Sequence, residues 1–256
     1  MPASTCAPPR APAQPSGAMS LPRSPAAVVF DMDGLLFDTE TLYQEAIAAA
    51  AAAQGCGLAP ALFVRTIGLP HPHVRTLLLD HFGAAFAVDE FLAAWSEHFW
   101  LLAETRLTLK PGAIELLDAL DELELPRGIA TSSSHRTVQH HLDAHGLTGR
   151  FQVIVGRGDY AEGKPSPDPF LKAAERLGVE PLLCLALEDS HNGIRSASAA
   201  GMMTIMVPDL VPPSEEIRGL CVTVAPDLHE VRKLLLSVAA KADFEPLIAE
   251  FPRPAN

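Results

Sequence analysis

Five short apolar runs, at residues 26–30, 128–131, 151–155, 182–187 and 203–207, constrain this chain more than any other feature. Each spans four to six residues and none alternates apolar with polar. That is the pattern of strands buried on both faces of a parallel sheet. Helix-like stretches at 113–124, 137–145, 167–177 and 193–200 lie between these runs. Alternation of strand and helix predicts an α/β fold, a doubly wound parallel sheet with right-handed crossovers.

One connection breaks the rhythm. About a hundred residues separate the first run from the second, too many for a structureless loop in a compact domain. The stretch reads as helical, with candidates at 40–53 (closing at Gly55), 61–67, 73–81 and 89–106. In the last, Asp89 is a candidate cap, and Phe91, Leu92, Trp95, Phe99 and Leu102 share one face, read as bundle core. We expect residues 39–107 to form a helical insert over the sheet edge that carries Asp31. Residues 25–38 and 108–245 would form the core, with tails at 1–24 and 246–256.

Composition narrows the partners. Hydrophobic residues make up 48% of the 256, enough for a large buried core. The formal net charge of −12 argues against a nucleic-acid backbone or an anionic membrane as the main partner. An anionic substrate remains compatible, because a bound metal inverts the local field. No apolar stretch approaches the length needed to span a bilayer. Residues 1–24 are rich in Pro, Ala and Ser and lack Asp and Glu, which reads as a disordered tail or a targeting peptide without a secretory core. Met19 is an alternative start. Cys6, Cys56, Cys184 and Cys221 show no paired spacing and read as reduced thiols of a cytoplasmic protein. Nothing in the sequence sets an oligomeric state.

Four segments carry chemistry, each at the end of a predicted strand or the start of a helix. Asp31-Met32-Asp33-Gly34 places two carboxylates at the edge of the first strand. Thr131-Ser132-Ser133-Ser134 offers hydroxyls and backbone N–H groups, either as an anion cradle or as a helix N-cap. Gly163-Lys164-Pro165 restrains a lysine before a proline-rich turn, where it could aim a fixed positive charge at a phosphoryl oxygen. Leu187-Glu188-Asp189-Ser190 adds two acids at the C-terminal end of another buried strand, the edge where open α/β sheets bind ligands.

If the first and fourth of these strands are neighbours, Asp31, Asp33, Glu188 and Asp189 converge. Four carboxylates beside one lysine require large pKa shifts or a cation. Hard oxygen ligands together with a phosphate suit Mg²⁺. A role follows for each residue: Asp31 attacks phosphorus, and Asp33 protonates the leaving oxygen and then activates water. Lys164 and Ser132 hold the phosphoryl oxygens. Asp31, the Asp33 carbonyl and Asp189 hold the metal, with Glu188 as a direct or supporting ligand.

With Asp31-x-Asp33, Ser132, Lys164 and Glu188-Asp189 in this order, the chain resembles the haloacid dehalogenase superfamily, in its β-phosphoglucomutase-like phosphatase branch. The contexts Lys164-Pro165 and Glu188-Asp189-Ser190-x-x-Gly193 match as well. The resemblance implies a Rossmann-like core with an inserted helical cap that selects the leaving group. Dehalogenases lack the acid at Asp33, so phosphoryl transfer is implied. Sugar phosphomutases of the branch carry a cap histidine and arginine where this chain has Tyr43 and His71, and the phosphatases commonly carry a glutamate, as in Asp38-Thr39-Glu40. The resemblance therefore implies hydrolysis of a small phosphorylated metabolite such as a sugar phosphate. A phosphomutase and a non-catalytic regulator on the same fold are the alternatives.

Ser133, Ser134, Tyr43 and His71 are the candidate substrate contacts, and His135 and Arg136 follow the serine run. Arg75 could reach an anionic leaving group or form a surface ion pair. His71-Pro72-His73 reads as a solvated turn, and His140, His141 and His145 as the surface of one helix.

Overall fold

The computed structural model describes residues 20–57, 60–67, 69 and 71–249, with the backbone alone at 60, 71 and 241–249. Most of the expected N-terminal tail, including Cys6, therefore lies outside the described residues.

Six parallel strands form one sheet: β1 (Ala27–Phe30), β2 (Arg127–Ala130), β3 (Val153–Val155), β4 (Cys184–Glu188), β5 (Met203–Met206) and β6 (Thr223–Val224), in the order β3-β2-β1-β4-β5-β6. The chain starts in the middle of the sheet and reverses direction there, so the doubly wound α/β Rossmann-like architecture is present. In register, Val29 faces Gly128 on one side and Ala186 on the other. The two faces of β1 differ in size. Val28 and Phe30 join Leu185, Leu187 and Ile129 in a core with Leu116, Leu120 and Leu234. These last belong to α5 (Ala113–Glu122) and α10 (Leu228–Ala249). On the opposite face Ala27, Ala130 and Ala186 are small, which lets Ala173 and Ala174 of α7 (Asp168–Leu177) and Ala197 of α8 (His191–Ala199) approach closely. Each fully buried large side chain contributes about 1.5–3 kcal/mol.

Four helices intervene between β1 and α5: α1 (Thr39–Ala53), α2 (Pro60–Val64), α3 (His71–Phe82) and α4 (Val88–Arg106). Their shared core includes Ile47, Phe63, Leu78 and Phe91. Alanine-rich α1 stops where Gly55 takes φ 66°, a left-handed conformation that glycine adopts without cost. The chain leaves and re-enters the sheet region side by side. Asp38 N–H donates to Thr108 O at 2.9 Å, and Lys110 N–H donates to Leu36 O at 2.9 Å.

Several details differ from the sequence reading. Strand β6 is only two residues long and gave no periodic signal. Helix α10 runs to Ala249, past the boundary placed at 245. Asp89 lies in the first turn of α4 and pairs with Arg75 at 3.0 Å; the cap position is Ala87. His141, read as surface, is fully buried against Phe37, Phe99 and Trp100. Among the described residues no helix is long and apolar enough to cross a membrane. Cys56, Cys184 and Cys221 are free thiols.

Candidate active site

β1 and β4 are hydrogen-bonded neighbours, so their carboxylate-bearing ends meet. Asp31 N–H donates to Leu187 O at 2.9 Å, extending the pairing one residue past β1. The chain then turns at Gly34 with φ 79°. A side chain there would run into the Asp189 carboxylate, so glycine is required both for its conformation and for space.

Lys164 lies between two acids. Its Nζ donates to Asp31 Oδ1 and, at 2.5 Å, to Glu188 Oε1. The ammonium also sits 5.0 Å from the centre of the Phe170 ring. The loop carrying Lys164 is fixed by Ser166 N–H donating to Gly163 O at 3.0 Å, and by Ser196 Oγ, which donates to Ser166 O. Asp31, Lys164 and Asp189 are each 5–6% exposed, and Glu188 is wholly buried.

Glu188 Oε2 accepts from Ser190 N and Ser190 Oγ, both at 3.0 Å. Ser190 Oγ in turn accepts from Gly193 N at 3.1 Å, capping α8. Both oxygens of Glu188 are thus engaged by protein groups, and its contact with the rest of the site runs through Lys164. Asp33 is held by Ser133 Oγ, which donates to its Oδ2 at 2.7 Å. Asp33 Oδ1 is buried without a partner. Ser132 is exposed at the mouth of the cavity, and its carbonyl accepts from Arg157 Nε at 3.2 Å.

The electrostatics follow from this crowding. Burial pushes the Asp31 carboxyl up to about 7; Lys164 opposes the shift, while Glu188 and Asp33 reinforce it. Burial, then Glu188 and Asp31, push Asp189 well above the usual carboxylate range. Burial pushes Glu40 up to about 8, with Asp33 and Asp209 adding to the effect. Burial disfavours the Lys164 ammonium, yet Asp31 and Glu188 together hold its pKa above the ordinary lysine range. Asp209 pairs with Lys110 at 2.7 Å through one oxygen and leaves the other buried and unpartnered beside Gly34.

Among the described residues, no three His, Cys, Asp or Glu side chains form a ready metal cage. The donors that do converge suit a hard divalent cation. They are oxygen-only, burial and neighbouring acids push two of the carboxyls upward, and Gly34 clears space beside Asp189. A cation held by Asp31, Asp189 and a main-chain carbonyl needs no third carboxylate.

The remaining candidates separate. Tyr43 lines the same cavity and stacks on Phe99 with ring centres 3.9 Å apart. Ser134, expected at the substrate, caps α6 (His135–Ala144), its Oγ accepting from Thr137 N at 3.2 Å. The capping interaction uses the hydroxyl and explains the residue without a ligand. His135 pairs with Asp159 at 2.6 Å. His71 opens α3, and its side chain lies outside the described residues. Arg157, Tyr160 and Glu40 also line the cavity, and no sequence motif marks the first two.

Fold and site together define a class. The chain belongs to the haloacid dehalogenase-like hydrolase family, which it matches over residues 25–201. Within that family it falls in the β-phosphoglucomutase-like phosphatase branch and is a phosphoric monoester hydrolase. It is 33% identical to hexitol phosphatase B of Escherichia coli, over 74% of this chain and 86% of that one. The crystal structure of CbbY from Rhodobacter sphaeroides in complex with phosphate is 29% identical, with a TM-score of 0.63, covering 81% of this chain and 96% of that one. β-Phosphoglucomutase of Clostridium difficile, at 21% identity, shares the fold with a TM-score of 0.69, over 87% of this chain and 99% of that one.

Proposed function

We propose that this protein is a Mg²⁺-dependent phosphatase that hydrolyses a small phosphorylated metabolite through a phosphoaspartate on Asp31. The observation that carries the reading is the buried Asp31–Lys164–Glu188 arrangement, with Asp33 lining the same cavity. The Lys164 tether fixes one oxygen of Asp31 and leaves the other to attack phosphorus. As the P–O bond to the alcohol breaks, Asp33 delivers a proton to the leaving oxygen. Its unpartnered Oδ1 is the oxygen suited to this transfer, because Ser133 occupies Oδ2. Asp33 then takes a proton from water as that water attacks the phosphoaspartate. Inorganic phosphate leaves and the Asp31 carboxylate is restored.

Lys164 neutralises charge on the phosphoryl oxygens, Ser132 donates a hydrogen bond to them, and Arg157 adds a second cation at the serine loop. Mg²⁺ would be held by Asp31, Asp189 and the Asp33 carbonyl, where it supplies charge neutralisation for a phosphate dianion entering an acidic site. Helices α1–α4 act as a cap that selects the alcohol. The stacking of Tyr43 on Phe99, at the position where the related mutases carry histidine, supports hydrolysis over phosphate migration. Free thiols support a reducing, cytoplasmic setting.

The test is release of phosphate from p-nitrophenyl phosphate. Wild type should release it with Mg²⁺ and not with excess EDTA, and Asp31→Asn should release none. Acid-quenched wild type should carry phosphate on the peptide containing Asp31. Equal activity in Asp31→Asn would overturn the assignment.

A further inference from the structure

The cavity above Asp31 encloses about 860 Å³, far more than a phosphate group needs. Its character changes with distance from the catalytic acids. Near the sheet the wall is polar, formed by the acids, Lys164 and the serine loop. Away from the sheet it passes onto α2 and α4, where Leu92, Trp95 and Trp100 line the space with Ile67 and the nearly wholly buried Phe63. From Trp100 back to Leu92, α4 travels about 12 Å along its axis, the depth of a ring plus a short linker.

Polar atoms on this far wall are partly spent already. Trp95 Nε1 donates to Tyr43 O at 3.0 Å, so the indole presents its ring rather than its N–H. Thr66 Oγ1 donates to Phe63 O at 2.7 Å. Among the described residues that line the cavity, the cationic side chains are Lys164 and Arg157. Both are tied to the polar end, Lys164 by the two acids and Arg157 by the Ser132 carbonyl.

From this arrangement we infer that the substrate is a monophosphate whose alcohol carries a flat, largely apolar ring and no second anion. The inference rests on the phosphatase reading and narrows it. A ring entering against Trp95, Trp100 and Leu92 gains apolar burial and aromatic contact. An open-chain polyol at the same place gives up water from its hydroxyls and, apart from the Ser96 hydroxyl, meets donors already spent. A second phosphate would be desolvated against Leu92 and Trp95, away from Lys164 and Arg157.

The test uses substrates that all release a primary alcohol, so that intrinsic reactivity is matched: 2-phenylethyl phosphate, sorbitol 6-phosphate, fructose 6-phosphate and fructose 1,6-bisphosphate. The full-length enzyme with Mg²⁺ should prefer the phenylethyl ester in kcat/KM by about tenfold or more. The bisphosphate should be the poorest of the four. Leu92→Asn should lower the ratio of phenylethyl to sorbitol ester. An equal or better kcat/KM for sorbitol phosphate or the bisphosphate overturns the inference. Turnover of p-nitrophenyl phosphate with none of the four esters hydrolysed overturns it too, while leaving the phosphatase reading intact. Failure on p-nitrophenyl phosphate as well removes the phosphatase reading and this one together.

Discussion

A methyl group placed on Gly193 would fall on the carboxylate of Glu188. The backbone of Gly193 is ordinary helix, so the residue serves space and not conformation. We expect Gly193→Ala to push Glu188 off Lys164 and Ser190. Overpacking of this kind costs about 1–3 kcal/mol. Thermal unfolding should report that loss, and phosphate release should fall with it. An alanine variant with wild-type turnover would show that the position of Glu188 does not matter.

Removing the lysine leaves two buried acids facing one another. Lys164→Met should destabilise the fold by about 3–5 kcal/mol, the cost of an uncompensated buried charge. It should also lower kcat by roughly 10²–10³, the usual effect of losing one fixed group at a developing charge. Lys164→Arg should not restore activity, since the planar guanidinium cannot replace a compact ammonium between Asp31 and Glu188. Denaturant titration and steady-state kinetics check the two halves separately.

Burial and the charges of Glu188 and Asp31 push Asp189 upward, so its carboxylate opposes folding when no cation is present. Added Mg²⁺ should raise the melting temperature of wild type, by an amount equivalent to about 2.7 kcal/mol at a hundredfold excess over Kd. Asp189→Asn should melt at or above wild type in EDTA and gain little from Mg²⁺. A full Mg²⁺ shift in the variant would remove Asp189 from the cation site.

Desolvation holds the His141 imidazole below its ordinary 6.5. His145, also partly desolvated, is shifted in the same direction. As pH falls through 6.5 the unfolded chain takes up protons that the folded one refuses, so stability is lost on the acid side and is complete above that value. The slope is at most about 1.4 kcal/mol per pH unit for each histidine. Denaturation midpoints between about pH 7.5 and 5.5 should therefore drop less in His141→Gln than in wild type. An unchanged pH dependence in the variant would count against a buried neutral imidazole.

Much of the fold was legible because strands buried on two faces leave a continuous apolar signature. The ends of β1, β2 and β4 could be placed well enough to collect Asp31, Ser132 and Glu188 at one edge. Thr223–Val224 is too short for any period to register. The stripe Phe91, Leu92, Trp95 and Phe99 read as bundle core, and Phe91 is buried there. Periodicity tells which side of a helix is apolar but not what stands opposite it. Leu92 and Trp95 pack against that same core and also line the cavity, a second role that periodicity does not report. His141 was misread for a related reason. Its aromatic neighbours come from Phe37 and α4, distant in sequence, so nothing local marked it as buried. Arg157 and Tyr160 follow the short edge strand β3, and their place at the mouth depends on sheet order alone.

The central position of β1 has a kinetic corollary. Its partners are β2 and β4, each contributed by chain far downstream. No contiguous fragment that ends before β4 can hold Asp31 against Glu188. Pairings of such long sequence separation form late and slowly. Recovery of turnover after dilution from denaturant should consequently lag behind the return of helical signal, making catalysis a clock for completion of the sheet.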